Sequence, residues 1–134
     1  MLASTIVHIA IRRPFAEVYD FLADPAKFPL WAANPGSSIE PLGGGDWLVD
    51  LPRGRLAIRF SRRNAFGVLD YQVFPPGEPA GPVTPARLVA NEEGCELILL
   101  WFQRPGTSDE SFASEAAWIG SDFERLKALL EGRE

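Results

Sequence analysis

The 134-residue sequence predicts an α+β fold, in which a curved antiparallel sheet of six to seven short strands wraps around one long C-terminal helix. Three observations carry this reading. First, residues 108–131 contain no proline and only Gly120 as an interior breaker, and Phe112, Ala116, Ile119, Phe123, Leu126 and Leu130 recur at spacings of three and four. That is the apolar stripe of an amphipathic helix. Second, most upstream segments alternate apolar and polar residues in short runs bounded by glycine and proline, the pattern of half-buried strands. Third, the two signals are segregated along the chain: one strand, two small helices, about six strands, then the long helix. At ~1.5 Å per residue that helix would run roughly 36 Å, so its stripe must be buried against the sheet. A sheet that grips a helix of this length leaves a hollow between them.

Each element follows from local chemistry. Residues 5–12 alternate, with Val7, Ile9 and Ile11 on one face and His8, Ala10 and Arg12 on the other. Pro14 opens a short helix, where its missing N–H is no loss, and Phe15, Val18, Tyr19 and Leu22 form its apolar side. Asp24-Pro25 supplies an N-cap and a first-turn proline for a second short helix that ends at about Trp31. A short strand is expected at residues 38–42 within a loop-like stretch, and another at 47–51. Pro52-Arg53-Gly54 then turns the chain into a strand at 55–62, with Leu56, Ile58 and Phe60 facing in and Arg55, Ala57 and Arg59 facing out. Residues 64–67 form a turn and 68–74 the next strand. Residues 75–82, PPGEPAGP, are too broken by proline and glycine to pack. Strands at 87–90 and 96–103 flank Asn91-Glu92-Glu93-Gly94, a hairpin turn, and Thr107 or Ser108 caps the long helix.

Composition bounds the function. With 46% hydrophobic and 23% charged residues the chain is globular, and residues 1–134 are expected to form one domain. A net charge of −5 argues against nucleic-acid binding, which needs a basic surface. The longest apolar run, residues 97–102, is far too short to insert in a membrane, and the N-terminal residues lack the basic start of a signal peptide. A lone cysteine, Cys95, cannot form an intramolecular disulfide and suits a cytoplasmic setting. The single histidine, His8, has outward parity, which weighs against a Cys–His or Ser–His nucleophile system. One histidine and one cysteine cannot make a zinc site, so no metal and no cofactor are expected. Gly43-Gly44-Gly45 lacks the spacing of a nucleotide loop and reads as a turn. Arg53, Arg55, Arg59, Arg62 and Arg63 cluster around one strand, where a solvated sheet face is the default.

The order of elements, together with particular residues, resembles the START-like, or SRPBCC, superfamily with the helix-grip fold, and within it the polyketide cyclase/dehydrase-like group. The resemblance spans nearly the whole chain. It rests on Ile11-Arg12-Arg13-Pro14 with Glu17-Val18-Tyr19-Asp20-Phe21, on Asp24-Pro25 and Trp31, and on Phe66-Gly67-Val68-Leu69-Asp70-Tyr71. Arg87, Val89, Asn91, Gly94 and Glu96 continue it, followed by Arg104-Pro105-Gly106, Ser108-Asp109, and the closing Asp122-Phe123-Glu124-Arg125-Leu126-Lys127. The resemblance implies a helix-grip container; the superfamily includes lipid carriers, hormone receptors, cyclases and chaperone activators, so it does not by itself imply one activity. Related sequences often carry histidine after the Leu-Asp pair where this chain has Tyr71, whose ordinary pKa near 10 makes it the weaker acid or base.

Alternation points Leu69, Tyr71 and Val73, with Leu97, Leu99, Trp101 and Gln103, toward the hollow. Trp31 is expected at its mouth, with Phe60, Ile119 and Phe123 on its walls. Tyr71 and Gln103 would be polar groups among apolar ones, as in a ligand pocket, or simply satisfied on neighbouring backbone. Arg87, if it shares an inward face with Val89, needs a partner: an anionic ligand group, or Asp70 or Glu96 within the protein. Trp118 lies off the stripe and is expected against a strand edge or a partner subunit. The first functional reading is therefore binding of a small hydrophobic or aromatic molecule, anionic if Arg87 serves it, by a monomer or homodimer. An alternative is a cyclase- or dehydratase-like enzyme in which Tyr71 donates a proton and Arg87 holds an enolate. A second alternative is a protein-partner module acting through the outer sheet face, which would show an open or filled hollow and an exposed apolar patch.

Overall fold

The computed structural model describes residues 1–34 and 36–132. Its elements run β1 (Ser4–Ile11), α1 (Phe15–Leu22), a 3-10 helix (Pro25–Leu30), β2 (Ile39–Gly43), β3 (Asp46–Leu51), β4 (Gly54–Phe60), β5 (Tyr71–Phe74), β6 (Ala86–Asn91), β7 (Gly94–Phe102) and α2 (Asp109–Leu130). This is the expected α+β helix-grip architecture. Both predicted caps are present: the Asp24 carboxylate accepts the Ala26 N–H at 3.0 Å and the Ser108 hydroxyl accepts the Ser111 N–H at 3.1 Å.

The strands pair antiparallel as two ladders, β1-β7-β6 and β2-β3-β4-β5, rather than one unbroken sheet. Their junction explains the break. Residues 67–71 run beside residues 84–88 through isolated bridges, Val68 to Arg87 and Tyr71 to Thr84. Leu69 N–H donates to the Ala86 carbonyl at 2.9 Å and Leu88 N–H to the Gly67 carbonyl at 2.8 Å. Between these bonds the Asp70 carboxylate, not a backbone carbonyl, takes the Ala86 N–H at 2.9 Å, and Pro85 has no N–H to offer. A side chain takes the place of a ladder bond here, and the expected strand 68–74 is regular only from Tyr71.

Parity in β1 is as expected: Ile9 and Ile11 are buried while His8 and Ala10 are exposed. In β4 Ala57 keeps the outward parity of Arg55 and Arg59 but is buried, flanked by its cross-strand partners Leu48 and Phe74. The Arg59 guanidinium lies 5.5 Å over the Phe74 ring and pairs with Asp46 at 2.7 Å, so this outer face is roofed by its own side chains. Two more of the arginine cluster are likewise tied to acids, Arg55 to Glu40 at 3.7 Å and Arg63 to Asp20, as on a solvated face.

The core lies where α1 and the C-terminal half of α2 meet β1, β6 and β7. Ile11, Val18, Leu88, Cys95 and Leu126 are fully buried there. Burial pushes the Cys95 thiol pKa up, consistent with an inert side chain. Polar ties hold this end closed: the Lys127 ammonium donates to the Ala10 carbonyl at 2.5 Å, and the Arg12 N–H donates to Glu131 at 2.8 Å. The inner side of the N-terminal half of α2 borders an open space.

Candidate functional site

That space is a partly open cavity of about 580 Å³ bounded by α2, the 3-10 helix, the β3–β4 turn and residues of β4 to β7. One wall is a continuous aromatic chain. Phe60 of β4 meets Phe28 at 5.4 Å between ring centroids, Phe28 meets Trp31 edge-on at 5.6 Å, and Trp31 meets Phe123 of α2 at 6.2 Å. All three spacings fall in the range of favourable ring pairs, so the 3-10 helix is pinned between sheet and helix by its own aromatics. Leu69, Val73, Leu97 and Leu99 form the facing aliphatic wall. Trp101 closes one end, with its indole N–H donated to Glu115 at 3.2 Å.

Of the residues expected in the hollow, Trp31, Phe60, Leu69, Tyr71, Leu99, Trp101, Ile119 and Phe123 all line the cavity. Arg87 does not. In β6 the buried residues are Ala86 and Leu88, so Arg87 and Val89 point outward, one residue out of phase with the expected inward face. Nor does Arg87 pair with Asp70 or Glu96. Its guanidinium donates to the Phe66 carbonyl at 3.0 Å, Asp70 accepts from Ala86, and Glu96 accepts from Asn91 at 2.9 Å. Gln103 is also absent from the cavity wall: its amide donates to the Thr107 carbonyl and to Asp109, both at 2.9 Å, bracing the turn into α2. Trp118, expected against a strand edge or partner, stands 55% exposed at the cavity rim.

Sequence reasoning missed Phe28, Glu115 and Asp122. The acids had a signal: Glu115, Ile119 and Asp122 follow helical spacings of four and three along the flank of the apolar stripe, a row that faces inward only if the wall opposite is hollow. Phe28 had none beyond its place between Asp24-Pro25 and Trp31.

Tyr71 and Asp122 dominate the electrostatics. Tyr71 contributes to the cavity wall, and its phenol pKa is pushed up to about 12, chiefly by burial and further by the Asp122 charge, against an opposing hydrogen bond with Thr84 and the pull of Arg53. The phenol therefore stays protonated at any physiological pH and acts as a donor, not a base. Asp122 has a side chain only 15% exposed, and its carboxyl pKa is pushed up to about 6 by burial, although Arg125 at 3.1 Å opposes the shift through charge and hydrogen bonding. A pKa raised above the ordinary 3.8 means the unfolded chain releases this proton first. Stability from Asp122 is therefore full below about pH 3.8 and declines as pH rises toward 6. Asp122→Asn should raise stability at neutral pH by about 1–2 kcal/mol, after allowance for partial exposure and the lost Arg125 pair, and change little at pH near 4. Thermal melts at the two pH values check this; a lower Tm at neutral pH would show that the Arg125 pair outweighs desolvation.

No family profile matches the sequence, and no curated protein matches it significantly. Solved structures do match the fold. The Aha1 dimer from Colwellia psychrerythraea aligns with a TM-score of 0.76 at 16% identity, over 96% of this chain and 96% of that one. An uncharacterised protein from Bacillus thuringiensis aligns with a TM-score of 0.74 at 15% identity, over 96% of this chain and 99% of that one. CalU16 from Micromonospora echinospora aligns with a TM-score of 0.67 at 20% identity, over 99% of this chain and 77% of that one. At these identities the likeness is one of helix-grip fold.

Proposed function

We propose that the chain is a START-like helix-grip domain that binds a small apolar or aromatic molecule in the cavity between α2 and the sheet. The observation that carries this reading is the cavity itself, about 580 Å³ with an aromatic wall and few polar side chains. Ligand pockets of roughly 300–1,000 Å³ have this composition, because apolar walls supply affinity and a few polar groups supply orientation. An apolar cavity beside a packed core is otherwise a destabilising feature.

Native mass spectrometry of the freshly purified protein, followed by denaturation of the same sample, tests the reading. The expected result is a reproducible adduct of a few hundred daltons that is released on unfolding. Trp118→Ala should reduce its occupancy several-fold, since the indole covers the rim, while changing stability by less than about 0.5 kcal/mol as exposed substitutions do. A clean unliganded mass from cells and no retention of added aromatic compounds would sink the container.

The cyclase-type alternative relied on Tyr71 and Arg87 acting together. With Arg87 on the outer face, that pair has no support, although Tyr71 remains a protonated donor at the cavity wall. The partner-module alternative has a thinner basis. Ile6, 62% exposed, and Val89, 42% exposed, lie on the outer face of the β1-β7-β6 ladder, but the hollow is neither filled nor collapsed.

A further inference from the structure

Resting on that ligand-binding reading, we propose that the cavity selects an aromatic amine, whose protonated nitrogen docks on the Asp122 carboxylate beside Trp31 and Phe123. The sequence had suggested the opposite polarity, an anionic ligand held by Arg87. With Arg87 outside, the charged groups that α2 turns toward the cavity are acids.

Asp122 lines the cavity next to Phe123, whose ring lies 6.2 Å from Trp31. Among the described residues its one basic partner is Arg125, one turn further along α2. Nη1 of Arg125 donates both to Oδ1 of Asp122 at 3.1 Å and to the Trp31 carbonyl at 2.8 Å, and its side chain is 53% exposed, so the guanidinium is held at the outer edge. Among the described residues no protein donor reaches Oδ2 of Asp122, and Glu115, two turns earlier, commits only Oε1, to the indole of Trp101. The other charged and titratable groups around the cavity do not neutralise Asp122. Arg53, on the exposed β3–β4 turn, acts on Tyr71, and the Arg104 guanidinium is drawn 5.1 Å over the Phe102 ring.

A carboxylate in an apolar cavity with one peripheral partner is undercompensated, and a ligand cation would supply what is missing. The same cation would lie near the indole of Trp31, where ring faces attract positive charge and the ligand's own ring can stack along the aromatic wall. A ligand carboxylate would instead bring like charges together out of water. Tyr71, held as a neutral donor, adds no negative charge and cannot replace Asp122 as the anchor.

The test uses three compounds with one ring system, naphthylmethylamine, naphthylmethanol and naphthoate, titrated calorimetrically into the intact protein from neutral pH down through the Asp122 transition. The amine is expected to bind about tenfold tighter than the alcohol at neutral pH, a difference of one good polar contact. That lead should shrink as the pH falls below about 6 and Asp122 is protonated. Asp122→Asn should abolish the lead of the amine over the alcohol, and the wild-type pH series carries the test even if that variant folds poorly. Naphthoate binding as tightly as the amine, or equal binding of all three, overturns the amine assignment and leaves the container standing. Binding of none of the three overturns both.

Discussion

A single methyl group added at Gly67 is expected to destabilise the protein by about 3–4 kcal/mol and to lower Tm by roughly 10 °C or more. Gly67 has φ +72°, and a Cβ there would stand 2.2 Å from the Leu88 carbonyl oxygen and 3.2 Å from Cζ of Phe15. The oxygen belongs to the backbone and cannot rotate away, and the left-handed conformation adds roughly 1–2 kcal/mol for any residue with a Cβ. The carbonyl of Gly67 also accepts the Leu88 N–H at 2.8 Å, so relieving the clash breaks a bond that joins the two ladders. Gly44 is the control. Its φ is +64° but nothing lies within 4 Å of where a Cβ would stand, so Gly44→Ala should cost only about 1 kcal/mol. Comparable denaturation midpoints for the two variants would show that the junction between the ladders can shift, and that its close approach is not a constraint.

Phe123→Ala is expected to lower stability by about 3–4 kcal/mol and to weaken ligand binding at least tenfold. Phe123 is 3% exposed and serves both halves of the structure: it belongs to the buried core, and its ring ends the aromatic wall of the cavity. Truncation leaves a void continuous with the cavity and removes the surface on which Trp31 rests. Leu126, one turn further and fully buried, touches only the core side. Leu126→Ala should therefore destabilise by a similar amount, within the ~2–5 kcal/mol range of such truncations, with ligand affinity retained. If both variants lost binding in proportion to their stability, the cavity would be reporting global loosening and the aromatic wall would have no specific part.

Much of this architecture was legible in the chain because it depends on periodicity. The 3.6-residue stripe from Phe112 to Leu130, the alternation in β1 and β4, the Asp24 and Ser108 caps, and the glycine and proline turns all act within a few residues of themselves, and they emerge in the structure close to where they are read. The same local logic put eight of the ten expected ligand residues on the cavity wall, because side-chain direction in a strand follows from parity once the register is right.

What the chain could not reveal depends on groups distant in sequence. The phase of β6 follows from its register with β7, where Ala86 lies opposite the buried Leu99 and Leu88 opposite the buried Leu97, so Ala86 and Leu88 face in and Arg87 faces out; the Asp70 carboxylate, 16 residues away, takes the Ala86 N–H at the junction. Whether the flank of α2 meets packed core or open space depends on the sheet curving away from its N-terminal half, and this turned Glu115 and Asp122 from ordinary helix-surface acids into cavity residues. Periodicity determines which residues share a face. Only tertiary packing determines what that face meets, and with it the desolvation that raises a surface aspartate to a carboxyl with a pKa of about 6.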